Sequence, residues 1–262
     1  MSRAPIPFDD GAAYDRMMGG WSRLAGDVFL DWLALPAGLR WLDVGCGNGA
    51  FTGRIVARAA PSGVDAIDPS AGQIEWARAQ AATAEVRFRT GDAASLPYAD
   101  ASFDVALMAL VIFFVPDPAA CVAEMVRVVR PGGAVAAYVW DMHGGGFPHA
   151  ALASVLHEMG TPAQKPPSVE ASRIDTMRVL WQDAGLAGIE TRQIAVERRF
   201  ANFDEVWASG MSGAAFRSIL DARPADEVEQ IRSRVRARLA IAADGSVTQR
   251  ARANAVKGRR PG

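Results

Sequence analysis

Residues 41–52 read Trp-Leu-Asp-Val-Gly-Cys-Gly-Asn-Gly-Ala-Phe-Thr, and this stretch decides the fold. A short apolar run ends at Asp43, and glycines follow at alternate positions, Gly45, Gly47 and Gly49. The pattern predicts a buried strand that turns tightly into a helix. Glycine suits such a turn because it accepts a positive φ and lets a ligand approach the backbone closely. We therefore predict a ligand-binding loop at the carboxyl end of the first strand of an α/β sheet.

The spacing of the glycines narrows the class of ligand. A dinucleotide-binding loop reads G-x-G-x-x-G, whereas this loop reads D-x-G-x-G-x-G, with the third glycine one residue early. Asp43 stands two residues before Gly45, where a carboxylate suits a ligand with a positive group, such as the ammonium of an amino acid. The same carboxylate suits a pyrophosphate poorly, because both groups are negatively charged. A glycine turn without any ligand stays open as the alternative.

Composition argues against several classes of protein. The chain has 262 residues, of which half are hydrophobic and 22% are charged, which is ordinary for a soluble globular protein. Its net charge of −1 gives no general attraction to nucleic acid. Two cysteines, Cys46 and Cys121, make no disulfide framework, so we expect reduced thiols and a cytoplasmic protein. We also expect no signal peptide, no stable membrane insertion and no metal site.

Strands and helices alternate between residues 41 and 140. Apolar runs predict further strands at residues 64–68, 86–89, 103–109 and 134–140, with amphipathic helices between them. Ser70 and Gln73 form a capping-box pattern, and Asp117 with Pro118 forms an N-cap and N1 pair, so helices are expected to begin at both places. A repeated βαβ alternation requires a parallel, doubly wound sheet.

Two more predicted strands, at residues 189–200 and 251–257, complete the sheet. The predicted fold is therefore α/β, with a mostly parallel, seven-stranded Rossmann-like sheet and a helical cover over its active face. We predict one domain over residues 1–262. Its parts are an N-terminal helical lid (1–37), a cofactor-binding core (38–141) and two cover segments (142–187 and 201–248).

Two more acids follow predicted strands. Asp68 ends the second strand about 20 residues after the glycines, where an acid can bind both hydroxyls of a ribose. NAD and adenosylmethionine both carry that ribose, so Asp68 does not indicate which of the two binds. Asp92 follows the third strand and could accept the adenine amino group, or it could be an ordinary turn residue.

Taken in order, these motifs resemble the class I S-adenosylmethionine-dependent methyltransferases, closest to the small-molecule branch of ubiquinone and menaquinone biosynthesis. The match covers about residues 38–140, and its last motif is Arg130-Pro131-Gly132-Gly133. The resemblance implies S-adenosyl-L-methionine as cofactor, with S-adenosyl-L-homocysteine as product. It also implies that the methionine part is bound by Asp43 and the glycine loop, the ribose by Asp68 and the adenine by Asp92 and Ala93. The full set of implied cofactor-binding residues is Asp43, Gly45, Cys46, Gly47, Asp68, Pro69, Gln73, Asp92, Ala93, Ala94, Ala109, Leu110, Tyr14 and Trp21.

The N-terminal stretch 14–23 resembles the helix that precedes the core in the same branch. The resemblance makes Tyr14 and Trp21 candidates for a lid over the cofactor carboxylate, and Arg16 could pair with that carboxylate. A surface helix packed on the core is the alternative.

The implied reaction is in-line transfer of a methyl group from sulfonium to an acceptor nucleophile. A general base is needed only where that nucleophile must lose a proton. The candidates follow the fifth strand: His143 and Asp141 are the hypothesis, with His149 nearby. A solvated loop histidine is the alternative for His143.

The apolar stretch 111–115, with Trp140 and Phe147, favours a small hydrophobic or aromatic acceptor, although these side chains could equally be core. We expect a small-molecule substrate and no nucleic-acid partner, and the sequence is silent on oligomeric state. Two other functions stay open: an adenosylmethionine-binding protein without catalysis, and a nicotinamide-dependent oxidoreductase.

Overall fold

A central β-sheet runs through the chain; the computed structural model describes residue 12 and residues 15–162 and 164–262. Its strands are β1 (Arg40–Val44), β2 (Gly63–Asp68), β3 (Arg87–Thr90), β4 (Phe103–Ala109), β5 (Val129–Trp140), β6 (Ala187–Phe200) and β7 (Val247–Arg259). Their order across the sheet is β3-β2-β1-β4-β5-β7-β6. The first five strands are parallel, and β7 runs antiparallel to both of its neighbours. The predicted mostly parallel, seven-stranded sheet is therefore confirmed.

Helices connect the strands. They are α1 (Gly20–Leu33), α2 (Ala50–Ala59), α3 (Ala71–Arg78), α4 (Pro118–Val128), α5 (Ala150–Glu158), α6 (Ile174–Asp183), α7 (Phe203–Met211), α8 (Ala214–Asp221) and α9 (Ala225–Ala237). A π-helical turn, Asp15–Gly19, precedes α1. Two predicted helix starts are confirmed, since Ser70 Oγ accepts from Gln73 N–H at 3.2 Å and Asp117 Oδ1 accepts from Ala120 N–H at 3.0 Å. Within the described ranges, no helix is long and apolar enough to cross a membrane.

The start of β5 differs from the prediction. The sequence predicts a strand from residue 134, but the strand already begins at Val129. Val129 pairs with Phe103, and the register with β4 then shifts before Ala134. Gly132 N–H donates to Arg260 O at 2.8 Å and Arg260 N–H donates to Gly133 O at 3.0 Å, so the chain beyond β7 pairs with this segment. The φ of Gly132 is +79°, a conformation that glycine permits.

Helices cover both faces of the sheet. On one face, α1 and α2 bury Trp21, Phe29 and Phe51 against β5 and β7. On the other face, α4 and α6 pack on β4 and β5. Strands that are covered on both faces are expected to be apolar throughout, and β4 is an example.

Two of the predicted parts of the domain contribute to the main core. In the predicted N-terminal part, α1 buries its apolar side there. Part of the predicted cover segment 142–187 is also core. In α6, Trp181 is fully buried and its Nε1 donates to Val135 O at 2.9 Å, so α6 covers the sheet itself.

The remaining helices form a small apolar cluster of their own. Leu152 and Leu156 of α5 pack there with side chains from α7, α8 and α9 such as Phe203, Phe216 and Ile231. The predicted helical character of residues 201–248 is confirmed over these helices.

We predict that Trp181→Ala lowers the free energy of unfolding by about 3–5 kcal/mol, because it leaves a cavity against β5. Val179→Ala on the same helix is the matched control, since Val179 is 49% exposed, and its effect is expected to stay within about 0.5 kcal/mol. Urea unfolding of both variants measures the difference. Equal losses would contradict a core position for α6.

Candidate cofactor and acceptor cavity

A cavity of about 630 Å³ opens at the carboxyl ends of β1, β2 and β4. This is the edge at which open α/β sheets bind their ligands. Among the predicted cofactor-binding residues, the cavity is lined by Gly45, Cys46, Gly47, Asp68, Pro69, Gln73, Asp92, Ala93, Ala109 and Leu110. The fold thus brings together residues from four separate loops.

The glycine loop is held on the end of β2. Gly45 N–H and Cys46 N–H both donate to Ile67 O, at 2.7 and 3.0 Å. Gly45 has a φ of +76°, and a Cβ on it would lie 2.5 Å from the side chain of Val111. A side chain at Gly45 is therefore excluded both by backbone conformation and by space.

Gly47 is different because its surroundings are open. Its φ is +52°, and a Cβ there would meet no protein atom within 4 Å. Since Gly47 lines the cavity, the missing Cβ leaves room for a ligand beside the backbone.

Asp68 joins the glycine loop to the helix that follows β2. Its Oδ2 accepts from Gly47 N–H and its Oδ1 accepts from Ser70 N–H, each at 2.9 Å. Asp68 is partly exposed and lines the cavity, so it fixes the loop and is also accessible from the cavity.

Asp43 lies behind the loop and not in the cavity lining. It is fully buried; its Oδ2 accepts from Thr52 Oγ1 at 2.6 Å, and its Oδ1 has no partner within the described part of the chain. Burial raises the pKa of Asp43 to about 7, against the opposing effect of the Thr52 hydroxyl, and the charge of Asp68 raises it further. A buried carboxylate oxygen without a partner suits a positive group on a ligand.

Cys46 is a buried loop residue. Burial, with the nearby Asp43 and Asp68 carboxylates, raises the pKa of its thiol well above the usual range. The thiol is therefore neutral, which is consistent with a small space-filling residue and not a nucleophile.

The residues after β4 form an apolar wall. Val111, Phe114, Val115 and Pro116 line the cavity, as the apolar stretch suggested. Leu110 has a φ of +64°, which is rare for a leucine and is held by its N–H bond to Tyr138 O at 2.8 Å. Backbone strain of this kind gathers at ligand sites.

Sequence reasoning missed two polar residues of the cavity, Ser22 and Tyr138. Ser22 is 4% exposed, and its hydroxyl has no partner in the described ranges. The Tyr138 hydroxyl donates to Ser22 O at 3.4 Å. The sequence contained a signal for Ser22. It lies four residues before Gly26, on the side of α1 that packs against Phe51. A polar residue is unusual on this side of the helix, where an apolar one is expected.

Other predicted cofactor residues lie away from the cavity. Trp21 is fully buried in the core, with its ring 6.3 Å from that of Phe200, so it is no lid. Ala94 follows the lining residues, and its N–H donates to Asp92 Oδ1 at 2.9 Å. Arg16 is exposed on the π-helical turn. Tyr14 lies outside the described residues.

Neither residue of the predicted catalytic pair lines the cavity. Asp141 accepts from Arg252 Nη2 at 2.7 Å and from Gly144 N–H at 2.8 Å, so its carboxylate is committed to fixing the loop after β5. His143 Nε2 lies 3.2 Å from Glu170 Oε1. His149 is buried, which lowers its pKa to about 4, so it is neutral inside the protein.

Trp140 and Phe147, expected near an acceptor, are packing residues instead. Trp140 is 1% exposed in the core, and Phe147 packs against the same core and against the cluster of α5, α7, α8 and α9. In the part of the chain that the structure describes, the cavity lining comes from residues 22–138, so the helical cover adds no lining side chain.

Comparison with known proteins finds similarity to methyltransferases. A family described as the methyltransferase domain matches residues 42–137. The ubiquinone/menaquinone biosynthesis C-methyltransferase UbiE of Dinoroseobacter shibae is 37% identical over 123 residues, which are 45% of this chain and 49% of that protein. An uncharacterized protein of Mycobacterium tuberculosis is 31% identical over 181 residues, 67% of this chain and 64% of its own length. The chain thus spans about half the length of the first of these relatives.

Solved structures resemble the fold. The YcgJ protein of Bacillus subtilis has a TM-score of 0.60 at 18% identity, over 91% of this chain and 98% of that chain. Phosphoethanolamine N-methyltransferase 2 of Haemonchus contortus, in complex with S-adenosyl-L-methionine, has a TM-score of 0.61 at 16% identity, over 98% of this chain and 58% of that chain. These structures confirm the Rossmann-like fold, and the family match over residues 42–137 confirms the methyltransferase resemblance.

We predict that Gly45→Ala destabilises the protein more than Gly38→Ala. Both glycines have a φ near +80°, at +76° and +80°, but a Cβ at Gly38 meets nothing within 4 Å. Gly38→Ala should therefore cost about 1–2 kcal/mol from backbone strain alone. Gly45→Ala should cost about 1–3 kcal/mol more because of the contact with Val111. Urea unfolding compares them, and equal losses would show that Gly45 is not packed against Val111.

We also predict that the stability of the wild type, relative to Asp43→Asn, depends on pH. The folded protein keeps the Asp43 proton up to a pKa of about 7, whereas the unfolded chain loses it near 3.8. Between these values only the unfolded state ionises, so the free energy of unfolding of the wild type should fall relative to the variant as pH rises. The slope is at most about 1.4 kcal/mol per pH unit.

Denaturant titrations of both proteins from pH 4 to pH 8 measure this effect. The difference should level off above pH 7. Parallel pH profiles for the two proteins would mean that Asp43 ionises normally in the folded protein.

Proposed function

Since residues 42–137 match the methyltransferase domain family, we propose that this chain transfers a methyl group from S-adenosylmethionine to a small hydrophobic or aromatic acceptor. The observation that carries the proposal is the cavity. It joins the glycine loop, Asp68 and the Asp92–Ala93 turn, which are the residues expected to hold this cofactor, to an apolar wall.

The donor groups around the cavity fit the cofactor. Its methionine end carries an ammonium. Asp43 does not line the cavity, so its unpartnered Oδ1 would act on that charge from behind the glycine loop and not by direct contact. Its ribose carries two hydroxyls, which suit Asp68 at the end of β2. Its adenine carries an amino group, which suits the exposed carboxylate of Asp92, with the backbone of Ala93 beside the ring.

When bound, the cofactor supplies a methyl group on a sulfonium. The thioether that leaves is neutral, so it needs no acid. The chain then has to hold the acceptor nucleophile in line with that methyl. Proximity and orientation of this kind can account for about 7–11 kcal/mol of the barrier. Val111, Phe114 and Val115 would exclude water from the apolar half of the cavity.

The same wall supports a small, hydrophobic acceptor. Its side chains are aliphatic or aromatic, and Tyr138 and Ser22 are among the polar residues that line the same cavity. Ligand pockets with this lining take apolar molecules and orient them by a few polar contacts. The name of the Dinoroseobacter shibae relative states C-methylation in ubiquinone and menaquinone biosynthesis, which also supports a small-molecule acceptor here.

The test is incubation of the purified chain with a metabolite extract and S-adenosylmethionine that carries a labelled methyl group. We expect label in one or a few small apolar metabolites, identified by mass analysis. Binding of the cofactor without transfer to any metabolite would favour a binding protein instead. Failure to bind the cofactor would overturn the proposal.

We predict that Gly47→Ala weakens binding of S-adenosylhomocysteine by about tenfold or more, because the added methyl group occupies the cavity. Gly145→Ala is the matched control. Both glycines have a positive φ, +52° and +72°, and a Cβ at either one meets no protein atom within 4 Å, but Gly145 does not line the cavity. Calorimetric titration of both variants should show normal affinity only for Gly145→Ala. Equal affinities of the two variants would show that the ligand does not bind beside the glycine loop.

A further inference from the structure

The loop between β3 and β4, residues 91–102, carries the predicted adenine contacts of the cavity. Gly91, Asp92 and Ala93 line the cavity at the beginning of this loop. All of its residues are described, and they form only turns and bends, without a helix or strand. A loop of this length needs contacts from elsewhere to keep one conformation.

Arg127, in the last turn of α4, supplies those contacts. Its Nη1 donates to Tyr98 O at 2.8 Å and to Asp100 Oδ1 at 2.7 Å, and its Nη2 donates to Leu96 O at 2.9 Å. Its Nε and Nη2 also donate to the two oxygens of Glu124, at 2.7 and 2.8 Å. These contacts use all five N–H donors of the guanidinium group.

Glu124 makes a further contact between α4 and this loop. We call the contacts of Arg127 and Glu124 with the loop the attachment. Its Oε2 accepts from Leu96 N–H at 2.8 Å, so both backbone groups of Leu96 are bonded to side chains of α4. The Arg127 guanidinium holds the pKa of Glu124 below its usual range, so the carboxylate stays ionised. Arg127 O also accepts from Ala101 N–H at 3.0 Å.

The attachment lies close to Asp92 along the chain. Asp92 Oδ1 accepts from Ala94 N–H at 2.9 Å, and Asp92 O accepts from Ser95 N–H at 3.2 Å, which closes a turn directly before Leu96. The far end of this turn is therefore fixed by Arg127 and Glu124, while its near end is fixed by β3. Both ends of the turn that carries Asp92 are therefore held.

We infer that Arg127, together with Glu124, is a positioning residue that sets the selectivity of the cavity for adenine. This inference rests on the proposed function. A carboxylate held in one place accepts a hydrogen bond from the adenine amino group and repels the carbonyl oxygen that hypoxanthine has instead. If the loop is loosened, the carboxylate can turn away, and the penalty against hypoxanthine is lost.

The experiment compares binding of S-adenosylhomocysteine with binding of S-inosylhomocysteine, by calorimetry, in the full-length chain. We expect the wild type to prefer the adenosyl compound. In Arg127→Met this preference should fall by about tenfold, the size of one weakened charge-assisted hydrogen bond. Arg127→Lys should resemble Arg127→Met, because a lysine cannot make five fixed contacts.

Arg130→Met is the matched control. It removes an arginine three residues further on, which pairs with Asp104 Oδ1 on β4 at 2.5 Å, and it should keep the wild-type preference. A change of stability alone would lower the unfolding midpoint in either variant without changing the ratio of the two affinities. Glu124→Gln is a second variant of the attachment, and it should lower the preference in the same direction.

The results separate the two proposals. A wild type that does not bind S-adenosylhomocysteine overturns the proposed function and this inference with it. A wild type that binds and prefers the adenosyl compound, with the same preference in folded Arg127→Met, overturns this inference alone. If Arg127→Met does not fold, an unchanged preference in Glu124→Gln overturns it in the same way.

Discussion

The connection between the glycine loop and the end of β2 is the constraint on which the cavity depends. Two successive N–H groups, of Gly45 and Cys46, share the carbonyl of Ile67, and Gly47 N–H donates to Asp68. Only a chain with a positive φ at Gly45 can make this turn beside Val111. The turn brings the loop, the acid of β2 and the wall after β4 to one edge of the sheet, and a ligand there would contact all three.

Much of the fold follows from local sequence signals. An almost wholly apolar run predicted the bounds of β4, and the Ser70 and Asp117 caps predicted where two helices begin. The alternation of strands and helices then left the parallel sheet as the arrangement that covers both faces. Asp68 was predictable for the same reason, because an acid at a strand end in such a sheet lies at the ligand edge.

Residues whose position depends on distant partners were not predictable in this way. Asp141 follows β5 as an active-site acid would, but Arg252, 111 residues later in the chain, binds its carboxylate. Trp21 resembles a lid residue in sequence, yet α1 turns it into the core. No local pattern distinguishes a buried from an open position when the covering element comes from another part of the chain.

The cofactor assignment connects the loop, Asp43 and Asp68, and equilibrium dialysis tests it directly. The purified chain would be dialysed against labelled S-adenosylmethionine and, separately, against NADH. The assignment predicts saturable binding of S-adenosylmethionine and none of NADH at the same concentration. Tight binding of NADH without binding of S-adenosylmethionine would contradict it and would make the cavity a dinucleotide site.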